Sequence, residues 1–517
     1  MFRTLACAML LLNTLCTTAQ TPPVVEWSRN YGGSLQETGN DIVQTTDGGF
    51  IFCASTTSNN GDVSGALGIS DIWVVKLDAD GNIQWQRVLG GSSLDNPSKI
   101  MQLPTGGYLV LATTRSNDGD VSGNHGDADI WLAWLSAEGA LLDQRCYGGS
   151  LLDSATDLVH TPDGGYIISG LSRSSNGDLT TNAGFDDLWV LKVDGTGEIQ
   201  WQHAYGGSSG ELAYGVALTS DGGVVLNGIT QSTDGDVVGG TGSTDYWVLK
   251  LDPDGNLQWQ RTFGGSGIDN GYSIIELPDG TILALGADDV SNDEASNPLG
   301  DGDFWTVQLT STGDLISEHS YGGSSKDIGR GLLNTTEGGR VMTGSTFSSD
   351  GDVVSNNGGS DAWVLRTDED GDLYWTLALG GSGNEGFSRE LARTADGGYI
   401  LIGSSSSSNG DLPGNQGDLD VWVVKLGPDA VGMAEARTQP TLTRYPNPCT
   451  DLLHVVNPSP TGASLPWRIT DAQGRTVLTG TLSGSLGHVP VATLATGPYT
   501  VGLEWNGQWV TAPFVKE

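Results

Sequence analysis

Asp71-Ile72-Trp73-Val74-Val75-Lys76-Leu77-Asp78-Ala79-Asp80-Gly81-Asn82-Ile83-Gln84-Trp85-Gln86-Arg87-Val88-Leu89-Gly90-Gly91-Ser92 sets two runs of β-branched and aromatic residues on either side of an Asp-Gly pair. That pattern is a hairpin signal, because Asp-Gly accepts the positive φ of a tight turn while the flanking runs suit a pleated, buried surface. Asp71–Asp78 and Asn82–Leu89 are therefore read as strands, with Gly90-Gly91-Ser92 as the corner that leaves them. Upstream, Thr38–Thr45 and Phe50–Thr56 read as two further strands joined at Asp47-Gly48-Gly49, and a long loop passes through Asn60-Gly61-Asp62. The unit is a four-stranded meander without helical periodicity.

The unit repeats. The corner motif, an aromatic or leucine followed by Gly-Gly-Ser, begins at Tyr31, Leu89, Tyr147, Tyr205, Phe263, Tyr321 and Leu379, each 58 residues after the last. Asp-x-Trp follows at Asp71, Asp129, Asp187, Asp245, Asp303 and Asp361, and then at Asp420 after a one-residue insertion. A long period of four-stranded units that cannot bury both faces alone implies radial stacking, so the expected fold is all-β: a seven-bladed β-propeller.

A two-residue loop at Asp80-Gly81 pairs position 79 with 82 and therefore Lys76 with Trp85. The same pairing recurs as Lys192 with Trp201, Lys250 with Trp259 and Arg366 with Trp375, read as a cation on an indole worth about 0.5–1 kcal/mol. The second unit has Trp134 and Asp143 at these positions and the fifth Gln308 and Ser317, so cation and indole are lost together. The seventh unit has Lys425 but no fourth strand, whereas Trp27 stands 58 residues before Trp85. Val24–Tyr31 is thus expected to close the ring as the outer strand of the last blade, three strands coming from one end and one from the other, with Trp27 meeting Lys425.

Glycine makes up 78 of 517 residues without a Gly-X-Y period, which fits turns and excludes collagen. The formal charge of -39 opposes phosphate backbones and anionic membranes, so nucleic acid is not an expected partner. Residues 1–19 have the basic, apolar and small-residue sequence of a secretory signal peptide. No other stretch is apolar enough to span a membrane. Cys53, Cys146 and Cys449 then remain, an odd and scattered set that implies neither a disulfide framework nor a metal cluster.

Past Leu426 the repeat stops. Domain bounds follow as 24–427 for the ring, 428–444 for a linker and 445–517 for a small Ig-like β-sandwich of short alternating runs. In that last segment Tyr445-Pro446-Asn447-Pro448, Asp451-Leu452-Leu453, Asp471-Ala472-Gln473-Gly474-Arg475, Leu494-Ala495-Thr496-Gly497-Pro498-Tyr499 and a final strand with Lys516 occur in order. This resembles the C-terminal sorting domain read by the bacterial type IX secretion system. Pro498 departs from the β-branched or apolar residue common there. The resemblance implies export across the outer membrane of a Gram-negative cell, with the type IX machinery as partner and a secreted or surface location. The 58-residue units are similar to β-propeller repeats of bacterial surface proteins.

The search for chemistry yields little. Asp62, Asp120, Asp178, Asp236, Asp352 and Asp411 recur in one loop position, with Glu294 in the fifth unit; a sevenfold carboxylate reads as a loop-fixing acceptor. No histidine pair has zinc-site spacing, and no glycine-rich stretch leads into a helix. These observations lean toward a non-enzyme without deciding the point; no cofactor is expected, and weak calcium binding at loop carboxylates is left open. Where units break their consensus, ligand-facing positions are expected: Asp288, Asp289, Asp293 and Glu294 in the fifth unit, His125 and Trp134 in the second. The leading expectation is a binding or structural module for a protein or glycan. The alternatives are a polysaccharide hydrolase or lyase and a calcium-stabilised adhesin.

Overall fold

The computed structural model describes residues 21–241, 243–288, 299–335, 338–429, 444–445, 448–456, 465–471, 475–482, 486–505 and 508–517. The chain divides into two compact units, Met1–Ala430 and Val431–Glu517. The signal segment, Asp289, Asp293, Glu294, Pro446, Asn447 and Gly474 lie outside the described residues.

Among the described residues of the first unit, seven four-stranded antiparallel sheets follow one another. The first contains Glu37–Gln44, Phe50–Thr56, Asp71–Leu77 and Ile83–Leu89. Its two middle strands are buried almost throughout, since both of their faces meet neighbouring sheets, while Ile83–Leu89 at the outer edge is mostly half-exposed. The first strand of each sheet packs against the sheets before and after it, and the last sheet packs on the first. The result is a closed ring of repeated sheets, a β-propeller.

The seventh sheet is built from both ends. Val25–Tyr31 pairs antiparallel with Asp420–Leu426, and Trp27 stands opposite Lys425. The N-terminal strand also supplies a hydrogen-bond partner. In the first four sheets the buried tryptophan of Asp-x-Trp donates its indole N–H to a glutamine on the fourth strand, as Trp73 does to Gln86 at 2.9 Å and Trp247 to Gln260 at 2.9 Å. In the seventh, Trp422 donates to Ser28 at 2.8 Å. The glutamine column ends in Glu318 in the fifth unit, and there the buried Trp305 Nε1 has no partner among the described residues.

Two local expectations need correction. The Asp80-Gly81 loop has three residues, not two: Gly81 N–H donates to the Asp78 carbonyl and Asp78 N–H to the Asn82 carbonyl, with Gly81 in the left-handed region at φ 79°. Leu77 consequently faces Ile83, and a β-bulge one step later restores Lys76 to Trp85. The pairing is as expected because two one-residue errors cancel. The second correction concerns the cation. Lys76 turns away from the indole face and donates from Nζ to Asp47 and to the Leu77 carbonyl at 2.9 Å. Lys192 meets Asp163 at 2.7 Å, Lys250 meets Asp221 at 2.9 Å and Lys425 meets Asp396 at 2.9 Å, so the lysine pins the turn between the first two strands of its own sheet.

The outer tryptophan serves the next sheet instead. A β-carbon placed on Gly139 would lie 2.7 Å from Trp85, one on Gly255 2.9 Å from Trp201, and one on Gly313 2.8 Å from Trp259. Each of these glycines has a positive φ, so the hairpin turn requires glycine and the bare backbone accepts the ring. Trp201 also donates to the Pro253 carbonyl and Trp259 to the Ser311 carbonyl. Tyr31, Tyr147 and Tyr321 from the corner motif donate to the carbonyls of Gly81, Gly197 and Gly371 at 2.6–2.7 Å. Stacking is thus secured by aromatic groups laid over the turn of the following sheet.

In the second unit, Arg444–Tyr445, Leu452–Val456 and Leu486–Pro490 form one sheet. Thr476–Leu482, Leu465–Asp471, Gly497–Trp505 and Gln508–Lys516 form another. Leu453, Val455, Trp467, Ile469, Val501 and Phe514 share one buried core.

Candidate functional site

Every inner strand carries a break in register at the same place: between Gly39 and Asp41, Pro97 and Lys99, Ala155 and Asp157, Ala213 and Gly215, Gly271 and Ser273, Gly329 and Gly331, and Phe387 and Leu391. A bulge re-aims side chains and frees them from the ladder. Here it does so on the strands that surround the ring axis, and here the repeat loses its uniformity. The columns at the bulge read Asn40-Asp41, Ser98-Lys99, Thr156-Asp157, Tyr214-Gly215, Tyr272-Ser273 and Arg330-Gly331 in the first six units. The inserted residue of the seventh unit lies in its longer inner strand, Glu385–Arg393, and brings both Arg389 and Glu390 to this level.

These side chains bond across the ring. Lys99 Nζ lies 3.1 Å from Asp157 Oδ1 and 2.6 Å from Glu390 Oε1, joining the second, third and seventh sheets. Arg389 donates to the Tyr214 carbonyl and, at 3.0 Å, to the Thr156 carbonyl. Its guanidinium lies 5.6 Å from the Tyr214 ring centre, and Tyr214 and Tyr272 are 5.2 Å apart. Arg330 lies 5.1 Å from the Tyr272 ring centre and has no ion pair among the described residues. Burial alone would lower the Lys99 pKa, but Asp157, Glu390 and Asp41 outweigh it and hold the ammonium charged. Burial, reinforced by Glu390, keeps the carboxyl of Asp41 well above the usual carboxylate range, and Asp41 accepts the Ile100 N–H at 2.7 Å.

Arg389 borders a cavity on either side. On the side of the Asp-Gly-Gly turns a cavity of 480 Å³ is lined by Met101, His160, Leu218, Ile275 and Leu332. On the side of the long loops a cavity of 550 Å³ is lined by Asn40, Ser98, Arg330, Phe347 and Ser388. Both volumes suit a small ligand or a short chain segment. Phe347 is 46% exposed, and the buried Asn40 Oδ1 has no hydrogen-bond partner among the described residues. The second cup therefore brings an aromatic ring and a guanidinium together.

Of the consensus-breaking residues named from the sequence, the described ones, Asp288, His125 and Trp134, do not line that cup. Asp288 is 5% exposed and its Oδ1 accepts the Asp303 N–H at 2.7 Å, so it ties the base of its loop rather than facing a ligand. His125 Nδ1 lies 2.7 Å from Asp129 within its own loop. Trp134 packs over Gly197 of the third sheet and provides the indole that Asp143 does not. The loop aspartates accept corner N–H groups, as Asp62 does from Gly32 at 3.2 Å and Asp178 from Gly148 at 3.0 Å. What reading by consensus missed is the inner-strand column, whose signal is a change of chemical type from unit to unit.

Among the described residues no group of three His, Cys, Asp or Glu side chains is placed to hold a metal ion. In the tail, His454 and His488 face each other across paired strands with their Nδ1 atoms 2.7 Å apart. Tyr499 donates to the Ala495 carbonyl at 3.0 Å and stacks on Phe514, fixing the turn before Gly497–Trp505.

No curated protein matches the chain. Among solved structures, it is similar to YCF48 bound to D1 peptide, at 9% identity over 80% of this chain and 100% of that one, with a TM-score of 0.42. It is also similar to puromycin hydrolase, at 15% identity over 74% and 52% with a TM-score of 0.39, and to the Neurospora crassa Pan2 WD40 domain, at 11% over 63% and 88% with a TM-score of 0.35. Nothing about ligand or reaction follows from likenesses this distant. Among the described residues no helix is long and apolar enough to cross a membrane. Residues 443–517 match the secretion system C-terminal sorting domain, and this tail directs the chain through type IX secretion to the cell surface or beyond.

Proposed function

We propose that the protein is a seven-bladed β-propeller that works outside the cell as a binding module, taking a protein segment or a glycan in the axial cup on its long-loop face. One observation carries the reading: in a chain that otherwise repeats its columns closely, the axial positions change chemical type around the ring, from Lys99 and Asp157 through the paired Tyr214 and Tyr272 to Arg330 and Arg389. Structural columns repeat because each sheet meets the same neighbour, whereas a ligand on the axis meets every sheet differently. A glycan and peptide array probed with the mature chain tests it. A ligand whose binding falls at least tenfold in Arg330→Gln and in Phe347→Ala supports the cup; ligands that bind both variants as well as the parent place recognition elsewhere.

The enzymatic reading has one observation in its favour. Asp157 and Glu390 share Lys99 at the axis, beside Asp41 with its raised proton affinity. A carboxyl of raised proton affinity beside a lysine-bridged carboxylate pair suits acid–base chemistry on a polysaccharide. Release of reducing ends that disappears in Glu390→Gln, with ligand binding retained, selects this reading over simple binding.

A further inference from the structure

The junctions between consecutive sheets form an internal comparison series. Trp27 covers Gly81, Trp85 covers Gly139, Trp134 covers Gly197, Trp201 covers Gly255 and Trp259 covers Gly313. At the junction of the sixth and seventh sheets Trp375 is 1% exposed and donates to Asp429 at 2.9 Å. Six junctions therefore hold an indole. Between the fifth and sixth sheets the place belongs to Ser317, opposite Gln308, and the ring nearest a β-carbon on Gly371 is the imidazole of His319.

The missing ring leaves space. A cavity of 600 Å³ opens there, lined by Gln308, Ile316, Ser317, Thr335, Arg340 and Asp370 among others. The carbonyl of Glu369 occupies the position that accepts the indole N–H in the two preceding junctions, from Trp201 to Pro253 and from Trp259 to Ser311. Here it accepts from Arg340, a residue that replaces the aromatic or aliphatic side chain of other units and is 6% exposed. The mouth is apolar where the first, third and fourth units carry a glutamine; the second and sixth have Leu142 and Tyr374 there. Ile316 stands in a column held by Gln84, Gln200 and Gln258, and Leu315 and Ile316 are 53% and 49% exposed. Asp279, Glu369 and Asp370 ring the opening with negative charge.

We infer that this cleft is a docking site for an aromatic side chain, tryptophan above all, presented by a partner polypeptide with a basic residue close by. The shape is set by the five junctions in which an indole lies on a turn glycine of the following sheet. The flanking preference follows from the same series: Arg261, two residues after Trp259, reaches the Thr312 carbonyl at 3.4 Å and Asp314 at 3.8 Å, and the fifth unit has His319 in that column. An indole inserted with an adjacent cation would restore both missing groups, and Leu315 and Ile316 would be covered by the rest of the partner. Aromatic anchors in pockets commonly dominate such interfaces.

The experiment uses the mature chain and two synthetic tetrapeptides, acetyl-Gln-Trp-Gln-Arg-amide and acetyl-Gln-Ser-Gln-Arg-amide, with calorimetry and thermal melting as readouts. The tryptophan peptide is expected to bind and raise the melting temperature, and the serine peptide to bind at least tenfold more weakly. Ser317→Trp fills the cleft from within, so it should melt higher than the parent and lose the response to peptide. Asp370→Lys keeps the cleft open but reverses its rim, and should weaken the tryptophan peptide at least fivefold with an unchanged melting temperature. Equal binding of both peptides, or a response retained in Ser317→Trp, overturns the inference; should Ser317→Trp fail to fold, undiminished binding to Asp370→Lys does so.

Discussion

Individual carboxylates in this chain are pushed in opposite directions, and the position of each in the unit decides which. Burial raises Asp303 and Asp420, both from the Asp-x-Trp motif, to about 6. Partial burial also works to raise Asp47, Asp221 and Asp396, but hydrogen bonds from the neighbouring threonine, lysine and glycine bring them down to about 2. With an unfolded value near 3.9 for both groups, the linkage has two signs. The raised set contributes stability that is complete below about pH 4 and is lost as pH rises through 6. The lowered set contributes stability present above about pH 4 and lost as pH falls through 2. Urea unfolding followed by tryptophan fluorescence is expected to show greatest stability near pH 4–5, decreasing toward pH 7.5 and more steeply below pH 3. A maximum at neutral pH would contradict this assignment of charges. The sequence displayed both acid columns, but their difference depends on Lys76, Lys250 and Lys425 bending toward the turn, a direction that spacing does not reveal.

At the level of strands and turns, the alternation of apolar runs located most of the elements. Phe50–Thr56 is as read from the sequence, and Ile83–Leu89 begins one residue later than expected. Less legible was how the chain turns, because Asp-Gly serves a three-residue loop followed by a bulge as readily as a two-residue loop. The inner-strand bulges were invisible for a related reason: they arise where seven strands converge, and only the assembled ring imposes that crowding. Cross-axis contacts such as Arg389 to Tyr214 connect units with no sequence proximity at all. The aromatic-over-turn arrangement gives a testable contrast between two glycines of almost equal φ, 83° at Gly255 and 81° at Gly280. Nothing lies within 4 Å of a β-carbon on Gly280, so Gly280→Ala is expected to cost only the backbone strain, about 1 kcal/mol. Gly255→Ala must also displace Trp201 and His203 and should cost about 2–4 kcal/mol. Equal losses in chemical denaturation would show that the rings do not press on the turns.

For the molecule as a whole, the seam between its two chain ends is the decisive feature. Removing residues 21–31 exposes the unpaired edge of Asp420–Leu426, takes Ser28 from Trp422 and uncovers Gly81. The loss is expected to reach several kcal/mol, and a synthetic peptide of residues 21–31 should restore part of it by re-pairing. Melting of the truncated chain with and without that peptide is the measurement; a truncated ring that melts like the parent would mean the seam contributes nothing. Closure was readable from a single unmatched tryptophan because it needed only counting.

The shared seventh sheet also constrains how such a gene can grow. Losing or gaining a complete unit at either end would separate Val25–Tyr31 from the strand that receives it or present that strand with the wrong neighbour. Duplication of 58 residues between two internal units leaves both halves of the seam untouched. Lengthening by internal copying, with the terminal halves inherited as an inseparable couple, is the route this architecture permits.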